Sequence, residues 1–197
     1  MRSLLQILYN YHTVTPDVAR SAQPYLGFAS GFFTQAGIKS IINLRGENPD
    51  WSWWRREKAL AASLGLAHAD IRMSSRLIPA RATLVLLFDV FDAVPKPILL
   101  KCSGGQDRTG LASGLYLLHA KGWGALEEAK GHLRFWPYLH RAKDRQRWLA
   151  HFLDFAAQDA TGKPIALWAR ETYEPDKFAA YLRQNGVQGG YTAIQRF

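Results

Sequence analysis

The run Lys101-Cys102-Ser103-Gly104-Gly105-Gln106-Asp107-Arg108-Thr109-Gly110 constrains this chain more than any other stretch. Pro97-Ile98-Leu99-Leu100 before it reads as a short buried strand, and Leu111 to His119 after it reads as a buried helix. A glycine-containing loop between a strand and a helix N-terminus turns several backbone N–H groups inward beside the positive end of the helix dipole, so it stabilises an oxyanion. The only cysteine of the chain, Cys102, opens that loop. The same field favours thiolate over thiol and makes Cys102 a nucleophile. Arg108, six residues on, carries a planar fork that can return to the loop and bind two anionic oxygens. A free cysteine is otherwise often an inert core residue. The glycines, the arginine and the strand-loop-helix setting weigh against that here.

Cysteine, five residues and arginine, followed by Thr109-Gly110, resembles the signature loop of the cysteine-dependent phosphatases of the protein tyrosine and dual-specificity-like kind. Gly105 stands where that superfamily places a glycine. Arg20-Ser21-Ala22-Gln23-Pro24 is similar to a phrase near the start of bacterial dual-specificity-like members, and Ile42-Asn43-Leu44-Arg45 to a strand that leads toward their pocket. The resemblance implies an α/β fold with a central, mostly parallel sheet of roughly four or five strands flanked by helices. A phosphatase domain over 1–160 and a C-terminal helical extension over 161–197 are expected, with Thr161 to Pro164 as linker.

The same resemblance implies metal-independent hydrolysis of a phosphomonoester through a phosphocysteine, with no cofactor. Cys102 is then the nucleophile. Ser103, Gly104, Gly105, Gln106, Asp107 and Arg108 cradle the phosphate, and Thr109 donates its hydroxyl to the sulfur. The family offers two places for the general acid. Tyrosine and dual-specificity members carry an aspartate well before the cysteine, where Asp70 stands; lipid-phosphatase relatives such as the myotubularins carry one directly before the arginine, where Asp107 stands. Asp107 is preferred and Asp70 comes second; the rival role is to orient Arg108 or Arg72 by a carboxylate pair. Lys101 departs from the family, which has histidine there. Its charge still favours the thiolate, and it joins Arg45, Arg72 and Arg76 as outer basic contacts. His68, His132 and His140 are not read as catalytic, since a lone histidine is more often structural or exposed.

Arg45 lies past the carboxyl end of an expected parallel strand, where α/β sheets bind ligands, although pairing with Glu47 is an equal alternative. These cations lean the reading toward a multiply anionic ligand, an inositol phosphate or phospholipid head group, with phosphotyrosine or phosphoprotein as the other substrate class. A catalytically silent phosphate-binding module and a rhodanese-type sulfurtransferase are the rival functions. The 25 Lys and Arg against 16 Asp and Glu leave a net charge of +9, which suits phosphorylated ligands and leaves peripheral membrane contact open. No nucleic-acid-binding motif stands out, so no nucleic-acid partner is expected. No metal-ligand spacing is visible, and one cysteine excludes an intrachain disulfide. No apolar run reaches transmembrane length. Met1 to Tyr9 lacks a small-residue cleavage site, so a cytoplasmic location is expected, with membrane association or export the alternative if a leader has been removed.

Elsewhere the pattern predicts an edge strand ending at Arg20-Ser21, a helix over 30–37 and a central strand over 38–45. A helix over 50–65 is capped by Asp50 and stopped at Gly65, with Trp51, Trp53 and Trp54 packing on the sheet or shielding the helix start rather than forming a membrane or substrate platform. Leu66 to Met73 alternates like a strand, with His68, Asp70 and Arg72 on one face. Helices follow over 80–93, 125–135, 138–157 and 175–184, before a glycine-rich end.

Overall fold

Five strands form one sheet in the computed structural model, which describes residues 7–24, 29–187 and 194–195. They are β1 (His12–Thr15), β2 (Val18–Ser21), β3 (Ser40–Asn43), β4 (Ala67–Asp70) and β5 (Ile98–Lys101), in the order β1-β2-β5-β3-β4. β1 runs antiparallel to β2, and every other pair is parallel. The expected mostly parallel α/β sheet is therefore present. β3 and β5 are buried along their whole length, as strands covered on both faces must be. Ser21 and Asn43 both pair with Lys101, so the central strand β5 delivers Cys102 to the carboxyl edge between β2 and β3.

Alternation along β5 divides the core. Ile98, Leu100 and Cys102 share one cluster with Ile42 and Leu44, whereas Leu99 joins Ala19, Ile41, Phe32, Phe33 and Ala61 on the other face. That second face is covered by α1 (Ala29–Gln35) and α2 (Ser52–Ser63). The first is covered by α3 (Arg81–Ala93), α4 (Asp107–Lys121), α5 (Leu126–Gly131), α6 (Trp148–Asp159), α7 (Ile165–Glu171) and α8 (Pro175–Gln184). Trp168, Tyr173, Phe178 and Leu182 lie in the same cluster as Leu100, so the described part of 161–197 shares the core of the sheet. α4 lies tight on α5. A Cβ on Gly110 would sit 2.7 Å from the His132 carbonyl oxygen, and one on Gly114 3.0 Å from that of Ala129.

Several expectations need correction. Residues 12–21 form a hairpin; a strand does end at Arg20-Ser21 as expected, but it is the fully buried second strand β2, and β1 takes the edge. The N-cap of α2 is Trp51, whose N–H closes a turn onto the Asn48 carbonyl; Asp50 sits inside that turn and caps nothing. The strand predicted over 66–73 stops at Asp70, and Arg72 makes only an isolated bridge with Arg45. The helices predicted over 125–135 and 138–157 shorten to α5 and α6, apart from short 3-10 turns at Trp123–Ala125 and Asp144–Gln146. Carbonyls that a continuous helix would consume are taken by distant partners: His132 O accepts from Arg20 and Tyr138 O from Asn10. Tertiary hydrogen bonds there override helix propensity. The readings of residues 1–6 and of the glycine-rich end over 188–193 lie outside the described residues. Among the described residues no helix is long and apolar enough to cross a membrane, and no cluster of three or more His, Cys, Asp or Glu could hold a metal ion.

Candidate active site

Where the carbonyls of the loop after Cys102 go decides what its amides can do. Ser103 O accepts from the Gln23 N–H at 3.0 Å, and Gly104 O from Asn10 Nδ2 at 3.2 Å. Gly105 O accepts from Arg20 Nη2 at 2.7 Å, and Gln106 O from the Gly110 N–H at 2.7 Å. All four carbonyls are thus drawn behind the loop. Among the described residues, no N–H from Ser103 to Gln106 is spent on a protein oxygen, which is the arrangement of an anion-binding nest. Gly105 has φ +64°, and a Cβ there would meet Ala22 N at 2.5 Å. Only glycine fits.

Asn10, Arg20 and Gln23, which hold this loop from behind, carried no role in the sequence reading. Arg20 is fully buried; besides Gly105 it bonds the His132 Nδ1 and carbonyl, each at 3.0 Å, and stacks on Tyr138 with 4.2 Å to the ring centroid. Burial lowers its pKa to about 10, which leaves it cationic at neutral pH. His132, pushed down to about 3 by burial and by the Arg20 charge, is neutral and accepts through Nδ1. Asn10, with its Oδ1 bonded to His12 Nε2 at 2.9 Å, ties the loop to Tyr138 O. The Arg20-Ser21-Ala22-Gln23 phrase marked the place; nothing in the sequence marked Asn10.

Cys102 is only 3% exposed, and burial pushes its thiol up. The Arg108 charge, the Thr109 hydroxyl and the N–H groups of Thr109 and Gln106 outweigh that cost, and the net shift is downward. Arg108 turns back from the first turn of α4, with Nη2 3.3 Å from Ser103 Oγ. The sulfur therefore meets donors and a cation on the loop side, although it shares the hydrocarbon core behind.

The two candidate acids are placed differently. Asp107, at the start of α4, accepts at Oδ2 from Gln146 Nε2 at 2.7 Å, and its Oδ1 lies 3.3 Å from His140 Nε2. His140 Nδ1 faces the Leu133 carbonyl at 2.8 Å and so must carry the hydrogen there. Both Gln146 and His140 arrive on the segment expected to be helix, and neither was a site candidate. Asp70 ends β4 and is held in the scaffold: Oδ1 accepts from Asn43 Nδ2 at 2.6 Å and Trp54 Nε1 at 3.0 Å, and Oδ2 faces His68 and Lys58.

Lys101 is placed away from the cradle, a correction to its reading as a phosphate contact. Strand alternation sends its side chain to the sheet face opposite Cys102. Fully buried there, Nζ meets Glu57 Oε1 at 2.5 Å and Gln23 Oε1 at 2.8 Å. Burial, partly offset by Glu57, lowers Lys101 to about 8. Burial raises Glu57, but the His68 hydrogen bond and Lys101 win, and the net shift is downward. Arg45 stacks on Trp53 at 3.4 Å, and Trp53 also lies 5.0 Å from Lys101 Nζ. Trp54 is buried, while Trp51 is 60% exposed. Arg72 is exposed and donates to the Glu47 carbonyl at 3.1 Å. Arg76 is exposed and lines a cleft of about 370 Å³ with Lys143, Asp144, Arg145 and Gln146.

Neither a scan of protein-family models nor a search of curated proteins finds a match to the sequence. Solved structures do match. TpbA of P. aeruginosa superposes with a TM-score of 0.62 at 18% identity, covering 83% of this chain and 92% of that one, and a cysteine-to-serine form of TpbA was solved in complex with pTyr. The core catalytic domain of the PP-IP phosphatase SIW14 from S. cerevisiae, solved with citrate, gives 0.57 at 19% identity over 91% and 94% of the two chains. PTPMT1 gives 0.54 at 16% identity over 77% and 98%. With its five-stranded, mostly parallel sheet flanked by helices, the chain has the fold of the cysteine-based tyrosine and dual-specificity-like phosphatases.

Proposed function

We propose that this chain is a metal-independent phosphomonoester hydrolase that works through a phosphocysteine. The Cys102 thiolate attacks phosphorus in line with the leaving oxygen, forming P–S as P–O breaks, and Asp107 passes its proton to that oxygen. Water then attacks phosphorus and gives a proton to Asp107; P–S breaks, and orthophosphate leaves with the thiolate restored. Arg108 and the loop amides bear the charge on the equatorial oxygens, where positioned donors matter most. Thr109 stabilises the departing sulfur. The observation that carries this reading is the withdrawal of four consecutive loop carbonyls behind the cradle, beside a thiol held toward its ionised form. Asp107 is favoured over Asp70 because it opens the helix that the loop leads into, whereas the Asp70 oxygens serve the scaffold.

For the substrate, the relatives of this fold include a protein solved with pTyr and a PP-IP phosphatase. The exposed Arg72 and Arg76 favour the polyanionic class, an inositol phosphate or phospholipid head group, over a phosphotyrosine protein. The test is phosphate release from an aryl phosphate without added metal. Cys102→Ser abolishes it, and Asp107→Asn lowers kcat by about 100-fold or more while Asp70→Asn costs less. Retained activity in Cys102→Ser refutes the mechanism. Orthophosphate binding without turnover in the unaltered protein identifies a silent binding module instead.

A further inference from the structure

Arg76, Lys143 and Arg145, which line a cleft with Asp144 and Gln146, take no part in the bond-making at Cys102. The charges of this cleft are unbalanced. Among the described residues no carboxylate lies within ion-pair distance of Arg76, Lys143 or Arg145, and the one acid of the lining, Asp144, is engaged by Arg147 at 2.8 Å. Three neighbouring cations without a counter-ion repel one another, and an anion between them relieves that cost. The guanidinium forks suit phosphate oxygens, which they bind two at a time.

The cleft is also tied to the signature loop. Gln146 Oε1 accepts from the Lys143 N–H at 3.0 Å, while its Nε2 donates to Asp107 Oδ2 at 2.7 Å and to Ser75 Oγ at 3.4 Å. The Gln146 N–H closes the turn onto the Lys143 carbonyl at 2.8 Å. One amide side chain thus locks the turn bearing Lys143 and Arg145 to the residue that opens α4, and Ser75 brings the neighbouring Arg76 alongside.

We propose that this cleft is a second anion subsite, which takes a further phosphate group of the same substrate whose scissile phosphate sits over Cys102. It rests on the phosphatase reading and narrows it: the preferred substrate is a compact molecule bearing two or more phosphate groups. That chemistry is shared by a soluble inositol polyphosphate and by a multiply phosphorylated lipid head group.

The experiment measures binding to Cys102→Ser protein, which keeps the cradle and cannot turn over. Its probes are orthophosphate, inositol hexakisphosphate, and vesicles carrying a bisphosphorylated phosphoinositide against vesicles of the unphosphorylated lipid. At least one polyphosphorylated probe binds about tenfold or more tightly than orthophosphate. Adding Lys143→Gln and Arg145→Gln, both at exposed positions, cuts that ratio by about tenfold. An advantage confined to the vesicles assigns the second phosphate to a lipid; an advantage in solution assigns it to a free polyphosphate. If orthophosphate binds but no polyphosphorylated probe gains on it, or if the double substitution leaves the ratio unchanged, the subsite is refuted and the phosphatase reading stands. Failure to bind orthophosphate together with failure to hydrolyse an aryl phosphate refutes both.

Discussion

A thiol as enclosed as Cys102 resists ionisation, and burial is the largest single influence on it. Arg108 is the first of the opposing forces, ahead of the Thr109 hydroxyl and the two N–H groups. Arg108→Gln therefore leaves burial less opposed and raises the thiol pKa. A thiolate-dependent reaction then requires higher pH. In a pH series of iodoacetamide alkylation, the unaltered protein reaches half its maximal rate below the ordinary thiol value, and the variant shifts upward by about one unit or more. An unmoved profile would show that the guanidinium does not act on the sulfur. The Cys102–Arg108 relation was legible in the sequence because both groups sit on one short loop, whose covalent spacing limits where they can go. His140 was not legible, because only the path of the 132–147 segment brings its ring to Asp107.

At the scale of the element, β5 places neighbouring residues in opposite environments. Cys102 faces the helix it feeds, and Lys101 is driven into a buried network with Glu57, Gln23 and His68. Lys101→Met leaves the Glu57 carboxylate buried without its cation, and such a loss costs about 3–5 kcal/mol. Adding Glu57→Gln removes the orphaned charge, so the double variant is more stable than the sum of the two single changes predicts. Denaturant unfolding of the four proteins checks this; strict additivity would show that the two groups are uncoupled. The alternation of the strand was readable in advance. The sign of the Lys101 assignment was not, because it depends on which helix covers that face and on Glu57 being on it.

Over the whole molecule, the aromatic side chains beyond residue 160 interlock with those before it. Phe178 packs on Phe152 at 5.1 Å and Phe155 at 5.0 Å, Tyr173 lies 5.7 Å from Phe152, and the Tyr173 hydroxyl donates to the Pro79 carbonyl at 2.8 Å. A core shared in this way unfolds as one unit. Phe178→Ala costs about 3–5 kcal/mol and lowers the midpoint of a single transition. A separate early transition that spares the phosphate site would instead show an autonomous extension.

Local order in the chain determined the strand-loop-helix, the reach of Arg108 to the cysteine and the apolar rhythm of the central strands. These depend on residues a few positions apart, where backbone geometry leaves little freedom. Only the tertiary structure decided that Asn10, Arg20 and Gln23 hold the loop carbonyls back, that Lys101 is buried away from the ligand, and that Gln146 and His140 meet Asp107. Each of those contacts joins segments far apart in sequence, and such segments meet only when the sheet order and the helix packing bring them together.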